Sequence, residues 1–206
     1  AVVDAAQPRF FVMENVRGIL SAPIKHRPLS ERGPDYPPLA PEEEQGSAFA
    51  VIREVLEDVL GYQITFGLVD AADYGVPQNR LRVLVLGSRD REFTTAELSH
   101  LVVPTHRGNW QTLAQAIRDI NVGSPEFLSY TPDRQRIMAL VPAGKNWRGF
   151  RGHPQYGREF TERVMGGAWE ADGGKVGFYR RLPWDKPSPT LPTSPIQKST
   201  SLCHPD

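Results

Sequence analysis

The sequence predicts an α/β protein whose second part is a small, irregular, mostly β domain. Three observations carry this expectation. The apolar runs Phe10–Val16, Tyr62–Val69 and Leu81–Gly87 have the length and β-branched content of strands. One amphipathic stretch between the first two has helical spacing. From about residue 121, Gly, Pro, Arg and Trp become dense and helical periodicity fades, apart from Pro132–Val141. A boundary is expected between residues 95 and 105, giving domains 1–100 and 101–206.

Each element has a local reason. Phe10–Val16 is apolar and ends in polar residues, as a short buried strand does. Ligands of open α/β sheets meet the carboxyl ends of strands, and Glu14 and Asn15 lie near such an end. Residues 23–46 hold Pro23, Pro28, Pro34, Pro37, Pro38 and Pro41 and read as a mobile loop. Ser47 is the expected N-cap of a helix carrying Phe49, Ile52, Val55, Leu56, Val59 and Leu60, with Gly61 as its stop. That apolar stripe is expected to be core. Asp70–Asn79, with Gly75 and Pro77, is a connection, and 88–111 is a linker. Thr112–Ile120 is a second short amphipathic helix. Gly166-Gly167, Gly173-Gly174 and Pro183–Pro195 suggest short strands joined by irregular loops. No internal repeat is present.

Composition narrows the class. The 206 residues (23.0 kDa) are 39% hydrophobic with a mean hydropathy of -0.41, as in soluble globular proteins. No apolar run approaches the roughly 18 residues that span a bilayer. The N-terminal residues lack a basic segment followed by a long apolar one, so no secretory signal is expected. A single cysteine, Cys203, excludes an internal disulfide framework and a cysteine-rich zinc site. The expected setting is a reducing cytoplasm, without a membrane or a metal. Net charge is zero but uneven: residues 1–133 hold 12 Lys and Arg against 18 Asp and Glu, and residues 134–198 hold 12 against 5. The later part suits a phosphate-facing surface, with a merely solvated face as the alternative.

Two motifs point to a chemistry. Glu14-Asn15-Val16 and, some sixty residues on, Gln78-Asn79-Arg80-Leu81-Arg82 resemble two motifs of the DNA cytosine-5 methyltransferases. Their reaction begins with attack at C6 of a poorly electrophilic cytosine ring that needs a proton or strong hydrogen bond at N3 and a positive donor at O2. A carboxyl at a strand end serves N3 if burial keeps a proton available. A guanidinium, rigid and always charged, suits O2. Glu14 and Arg82 are of these types. Glu14-Asn15-Val16 resembles the family's Glu-Asn-Val motif, and Gln78, Arg80 and Arg82 resemble its Gln-x-Arg-x-Arg motif. Tyr74-Gly75-Val76-Pro77 is similar to the family's approach to that motif. Thr112–Ile120, the stretch from Val141 to Trp147, and the stretch from Tyr179 to Leu191 resemble bacterial members.

The resemblance implies the C-terminal part of a Rossmann-like methyltransferase domain, followed by a target-recognition domain. It implies catalytic roles for Glu14 (N3 and the exocyclic amine), Arg82 (O2) and Arg80 (support near the nucleophile), with Asn15 and Gln78 as organisers. Thr190-Leu191 matches the family's Thr and small apolar pair near the backbone of the flipped nucleotide. Arg180, Arg181, Lys186 and Lys198 are the expected phosphate contacts as a group. Trp147, Trp169 and Trp184 are expected to be anchors rather than stacking platforms. Cys203 beside His204 invites a nucleophile–base reading, which fails because adjacent residues of an extended chain point to opposite faces. It is also in the wrong context for the family.

The family's Phe-x-Gly-x-Gly cofactor motif and Pro-Cys-Gln nucleophile motif are absent from the sequence. In family order they would precede Ala1, and the last cofactor-pocket motifs would follow Asp206. The resemblance therefore implies S-adenosylmethionine as methyl donor, bound mostly outside this chain. Its implied partners are double-stranded DNA and a complementary methyltransferase half. Two rival readings stay open: a non-catalytic DNA-binding or partner-docking half, and a tRNA-directed relative. The long segment after residue 120 favours DNA, because the tRNA branch has a reduced recognition region.

Overall fold

A computed structural model of the chain describes residues 2–90, 94, 96–97, 100, 102–120, 123, 130–150, 158–166, 178–194 and 202–206. The fold mixes helix and strand in two compact units. One comprises Ala1–Ala71 with Arg80–Thr105, and the other Ala72–Asn79 with His106–Asp206. The short segment Ala72–Asn79 thus packs with the later part of the chain although it lies inside the earlier part in sequence.

The first unit contains α1 (Val2–Ala6), β1 (Phe10–Val16), α2 (Ser47–Glu54), β2 (Gln63–Asp70) and β3 (Leu81–Ser88). The strands form an antiparallel sheet in the order β1-β3-β2. All three lie within a residue of the runs read from the sequence. One face of the sheet is closed by α2, where Phe49, Val83 and Val85 are buried among Phe11, Met13, Ile19, Leu20 and Ile64. The Phe11 ring lies flat over Gly87, where an added Cβ would fall 2.0 Å from Phe11 Cε1. Glycine is needed there for close approach rather than for a special backbone angle.

Three expectations are corrected in this unit. The first strand is not buried: Val12 is 67% exposed, and no residue of β1 is fully buried. Exposure alternates along the strand: Phe11 and Met13 pack against the α2-side core, whereas Phe10, Val12, Glu14 and Val16 point to the other face, which no described element covers. The helical stripe is only partly core: Phe49 and Leu56 are buried, whereas Val59 is 71% exposed. The stripe continues through a π-turn, Val55–Val59, closed by the Leu60 N–H on the Val55 carbonyl at 3.0 Å. Finally, Gly46 (φ +85°) is the N-cap, not Ser47. The Ser47 hydroxyl instead accepts from the Ile24 N–H at 3.0 Å and donates to the Glu42 carbonyl at 3.1 Å, fastening the preceding loop.

That loop, expected to be mobile, is built around an ion pair between Arg27 and the buried Glu43. The Arg27 guanidinium also donates to the Pro37 carbonyl at 2.6 Å and the Pro38 carbonyl at 3.3 Å. The Arg27 hydrogen bond, with help from the Ala40 N–H, holds the Glu43 carboxyl below its ordinary value of 4.5, against the opposing effect of burial. A depressed carboxyl stabilises the fold above its unfolded value, and this stability is lost as pH falls through the folded value. Proteolysis within residues 23–46 is therefore expected to accelerate below about pH 4.5. Arg27→Ala is expected to produce the same cleavage at neutral pH. A protease-resistant loop in Arg27→Ala would remove this pair as its fastener.

The second unit contains α3 (Leu113–Ile117), α4 (Pro132–Leu140), α5 (Arg158–Met165), β4 (Arg180–Arg181) and β5 (Leu202–Cys203). Strands β4 and β5 form a two-residue parallel ladder. The expectation of a mostly β domain is not met among the described residues, where helix exceeds strand. The local chemistry explains part of this. Thr112 caps α3 in a reciprocal box with Gln115, and Pro132 opens α4 where its missing N–H costs nothing. The prolines of 183–195 cannot donate ladder bonds. The core gathers Ile137, Met138, Val141, Trp147, Val164, Met165 and Tyr179.

Candidate active site

The register between β1 and β3 places the two motifs side by side. Glu14 pairs with Leu84, and Val16 pairs with Arg82. Residues two apart share a face, so Glu14 and Arg82 are diagonal neighbours on the face opposite the α2 core. Arg82 Nε lies 2.5 Å from Glu14 Oε1, and Arg82 Nη1 donates to its neighbouring Leu81 carbonyl at 2.8 Å. The Arg82 side chain is 17% exposed and that of Glu14 is 52% exposed. The burial expected around the Glu14 carboxyl is therefore not present. Asn15 Oδ1 accepts from the Val16 N–H at 2.8 Å and so shapes the strand end locally.

Arg80 stands immediately before β3. Its N–H donates to Asp70 Oδ1 at 2.7 Å, and its carbonyl accepts from the Ala71 N–H at 3.2 Å. These bonds close the base of the β2–β3 pair and leave the side chain exposed.

In the second unit, Gln78 and Thr190 come together although they are far apart in sequence. Gln78 bridges Ser188 in parallel. The Ser188 N–H donates to the Pro77 carbonyl and the Asn79 N–H to the Ser188 carbonyl, both at 2.8 Å. The Thr190 hydroxyl donates to the Asn79 carbonyl at 3.0 Å. The same segment also holds α3, whose first N–H groups, Leu113 and Ala114, donate to the carbonyls of Lys186 (2.9 Å) and Trp184 (3.0 Å). Free helix-start donors are thereby satisfied without a side-chain ligand.

The expected phosphate contacts differ among themselves. Lys186 is exposed and Arg180 half-buried. The Arg181 guanidinium donates to the main-chain carbonyls of Met138 and Pro205. Lys198, Trp169 and Gly173-Gly174 lie outside the described residues. Trp147 is buried in the core, and Trp184 donates to Asp206 Oδ1 at 2.9 Å beneath the Arg118 guanidinium.

Sequence reasoning passed over Asp73, which stands in the connection before Tyr74 and is buried. Its only signal was an acid placed just ahead of a Gly and Pro turn.

Cys203 sits in β5, half-buried. Burial pushes its thiol above the ordinary value of 9.0, against an opposing pull from Arg181. Little thiolate is present at neutral pH, and the thiolate is the reactive form. Labelling by a disulfide reagent at pH 8 is expected to be at least about tenfold slower than for free cysteine, and to recover in urea. A folded-state rate equal to that of free cysteine would contradict the burial assigned to this thiol.

An apolar groove of about 560 Å³ runs between α1, β1 and α2. All its lining residues are Val, Ala, Pro, Phe, Met, Ile or Leu. It offers neither a carboxylate for a ribose nor a cation for an amino-acid carboxylate. The groove therefore does not fit S-adenosylmethionine. Among the described residues, no helix is long and apolar enough to cross a membrane. Among the same residues, no cluster of His, Cys, Asp or Glu could hold a metal ion.

The first unit thus combines helices with an antiparallel sheet that carries a carboxylate and a guanidinium side by side on one face. The chain belongs to the C-5 cytosine-specific DNA methylase family, whose sequence model matches residues 1–139. It is similar to Type II methyltransferase M.Sau96I of Staphylococcus aureus (26% identical; 100% of this chain, 40% of the relative). It is also similar to M.PspPI of Psychrobacter sp. (30%; 98% and 43%) and M.Eco47II of Escherichia coli (29%; 97% and 42%). The chain thus spans 40–43% of the length of these relatives.

Proposed function

We propose that this chain is the part of a DNA cytosine-5 methyltransferase that polarises the target base and reads the DNA. The enzyme containing it moves a methyl group to C5 of a cytosine flipped out of a specific duplex sequence, within a restriction–modification system. The observation that carries the reading is the Glu14–Arg82 pair, set 2.5 Å apart by the β1–β3 register. An acid and a fixed cation side by side match adjacent N3 and O2 atoms of one pyrimidine edge. Glu14 donates to N3 once the flipped base and the rest of the enzyme cover its carboxyl and keep it protonated, and Arg82 holds O2 as charge develops. The attacking cysteine belongs to a motif that this sequence does not contain, and Cys203 does not replace it.

The segment His106–Asp206, with Thr190 anchored on Asn79, is assigned to target recognition through the major groove. Lys186 and Arg180 serve the phosphates. Arg181 is left out of that set, because its guanidinium already holds two carbonyls. A Rossmann-like fold for the complete catalytic domain is part of the same proposal.

The test is methyl transfer by the full-length protein to duplex DNA and to tRNA in parallel. Incorporation into duplex DNA, at C5 of cytosine in one sequence, is expected. Transfer to tRNA alone would replace this reading with the RNA-directed one.

A further inference from the structure

The short segment Ala72–Asn79 ends in the first residues of the Gln-x-Arg-x-Arg motif, and its shape is fixed from both ends. At its end stand the Ser188 and Thr190 bonds described above. Near its start stands Asp73. The Asp73 carboxylate accepts from Trp110 Nε1 at 2.8 Å on one oxygen. The other oxygen accepts from Arg107 Nε at 3.3 Å and Nη2 at 3.2 Å. The Asp73 carbonyl accepts from the His106 N–H at 2.8 Å. A second contact joins the same two stretches. Gly75 has φ +84°, and a Cβ there would lie 2.9 Å from His106 Cε1. The turn is therefore pressed against 106–110 at two points, and Asp73 supplies the charge-assisted bonds of that contact.

We infer that Asp73 is a positioning residue for base recognition: by tying the turn to Arg107 and Trp110, it sets where Gln78 and the Asn79 carbonyl stand, and through that carbonyl where Thr190 stands. This rests on the function proposed above. Between Asp73 and Gln78 the chain has little freedom, with Gly75 in the left-handed region, Pro77 fixing its own φ and the Gln78 N–H on the Val76 carbonyl at 2.7 Å. A shift at Asp73 is passed along rather than absorbed. Displacements near 1 Å away from the reacting atoms can cost about a hundredfold in rate.

The experiment uses the full-length methyltransferase with Asp73→Asn and Trp110→Phe. Asn keeps an acceptor for Trp110 and removes the charge that holds Arg107; Phe removes only the indole N–H. Each is compared with wild type in single-turnover methylation of duplex DNA and in overall DNA affinity. A fluorescent base analogue at the target position reports extrusion of the base.

Asp73→Asn is expected to lower the single-turnover rate by about 10- to 100-fold and to weaken the extrusion signal, with DNA affinity nearly unchanged. Trp110→Phe is expected to show the same pattern, smaller. Unchanged rate and extrusion signal in both variants would overturn the inference. So would losses that merely follow the fraction of unfolded protein. Amide exchange at Asn79, expected to quicken about tenfold in Asp73→Asn, reads the tie independently of activity. If wild type fails to methylate DNA yet Asn79 exchange responds, the functional reading falls and the structural tie stands. If methylation is normal and neither Asn79 exchange nor rate responds, the positioning role falls alone.

Discussion

In the full-length methyltransferase, Glu14→Gln is expected to lower single-turnover methyl transfer to duplex DNA by about 10²- to 10⁴-fold, the range for losing a positioned general acid. Arg82→Ala is expected to lower it by about 10²- to 10³-fold, the range for removing one donor to a developing oxyanion. DNA affinity should change far less, because phosphate contacts dominate it. The two effects should not add. Arg82 and Glu14 touch in the folded chain, so each single change also leaves the other charge without its partner. The double variant is therefore expected to lose less than the product of the two single losses. Rapid quench with enzyme in excess over duplex DNA gives all three numbers. Near-normal turnover in either single variant would remove the role assigned to that residue. Equal loss of DNA binding and turnover would assign the pair to docking instead.

Truncation of the second core should give the largest stability effect. Ile137, on α4, is fully buried, with Met138, Val164, Met165 and Tyr179 in the same cluster. Ile137→Ala is expected to destabilise this unit by about 2–5 kcal/mol, from lost transfer energy plus the cavity left behind. Ile137→Val should cost about 0.5–1.5 kcal/mol. Urea unfolding followed through Trp147, which is buried in the same cluster, reads both. A loss under about 1 kcal/mol in the alanine variant would mean that the site collapses freely and the core is looser than described. The consequence reaches the proposed phosphate contact Arg180, because Arg180 and Arg181 follow directly on Tyr179. The Arg181 guanidinium holds the Met138 carbonyl, one residue from the truncated side chain.

Much of the first unit was legible in the sequence because strands announce themselves through period and β-branching. Phe10–Val16, Gln63–Asp70 and Leu81–Ser88 lie where the apolar runs lie. Their pairing was not legible. Nothing within one strand states that its neighbour runs antiparallel, or that β1 has a neighbour on only one side. The exposure of alternate β1 residues depends on which face of the sheet is covered, and so escaped the reading. The α2 stripe failed for a related reason: an apolar periodicity records that a face is meant to be covered, but not what covers it.

Contacts between distant residues were the other gap. Arg27 and Glu43 are 16 positions apart in a proline-rich stretch, where composition says loop and cannot say fastened. Thr190 and Asn79 are 111 positions apart, and no local pattern joins them. Resemblance named both of their motifs, and the hydrogen bond places them together. Asp73 was missed because a connection gives no periodicity against which an acid stands out. The short helices α1 and α5 were missed as well. Five and eight residues give too few turns for periodicity to be read.

The open side of β1 has a consequence for handling the polypeptide by itself. Among the described residues β1 pairs with β3 alone, and Val12 and Val16 are exposed on it; a strand of this kind is a template for strand addition and self-association. Arg9 and Arg17 bracket the strand and Glu14 interrupts it, charges of the kind that discourage flat edge-to-edge stacking. Solubility of the isolated chain should therefore rest on these three side chains. Neutralising them is expected to raise light scattering by the isolated chain before any change in the fold itself.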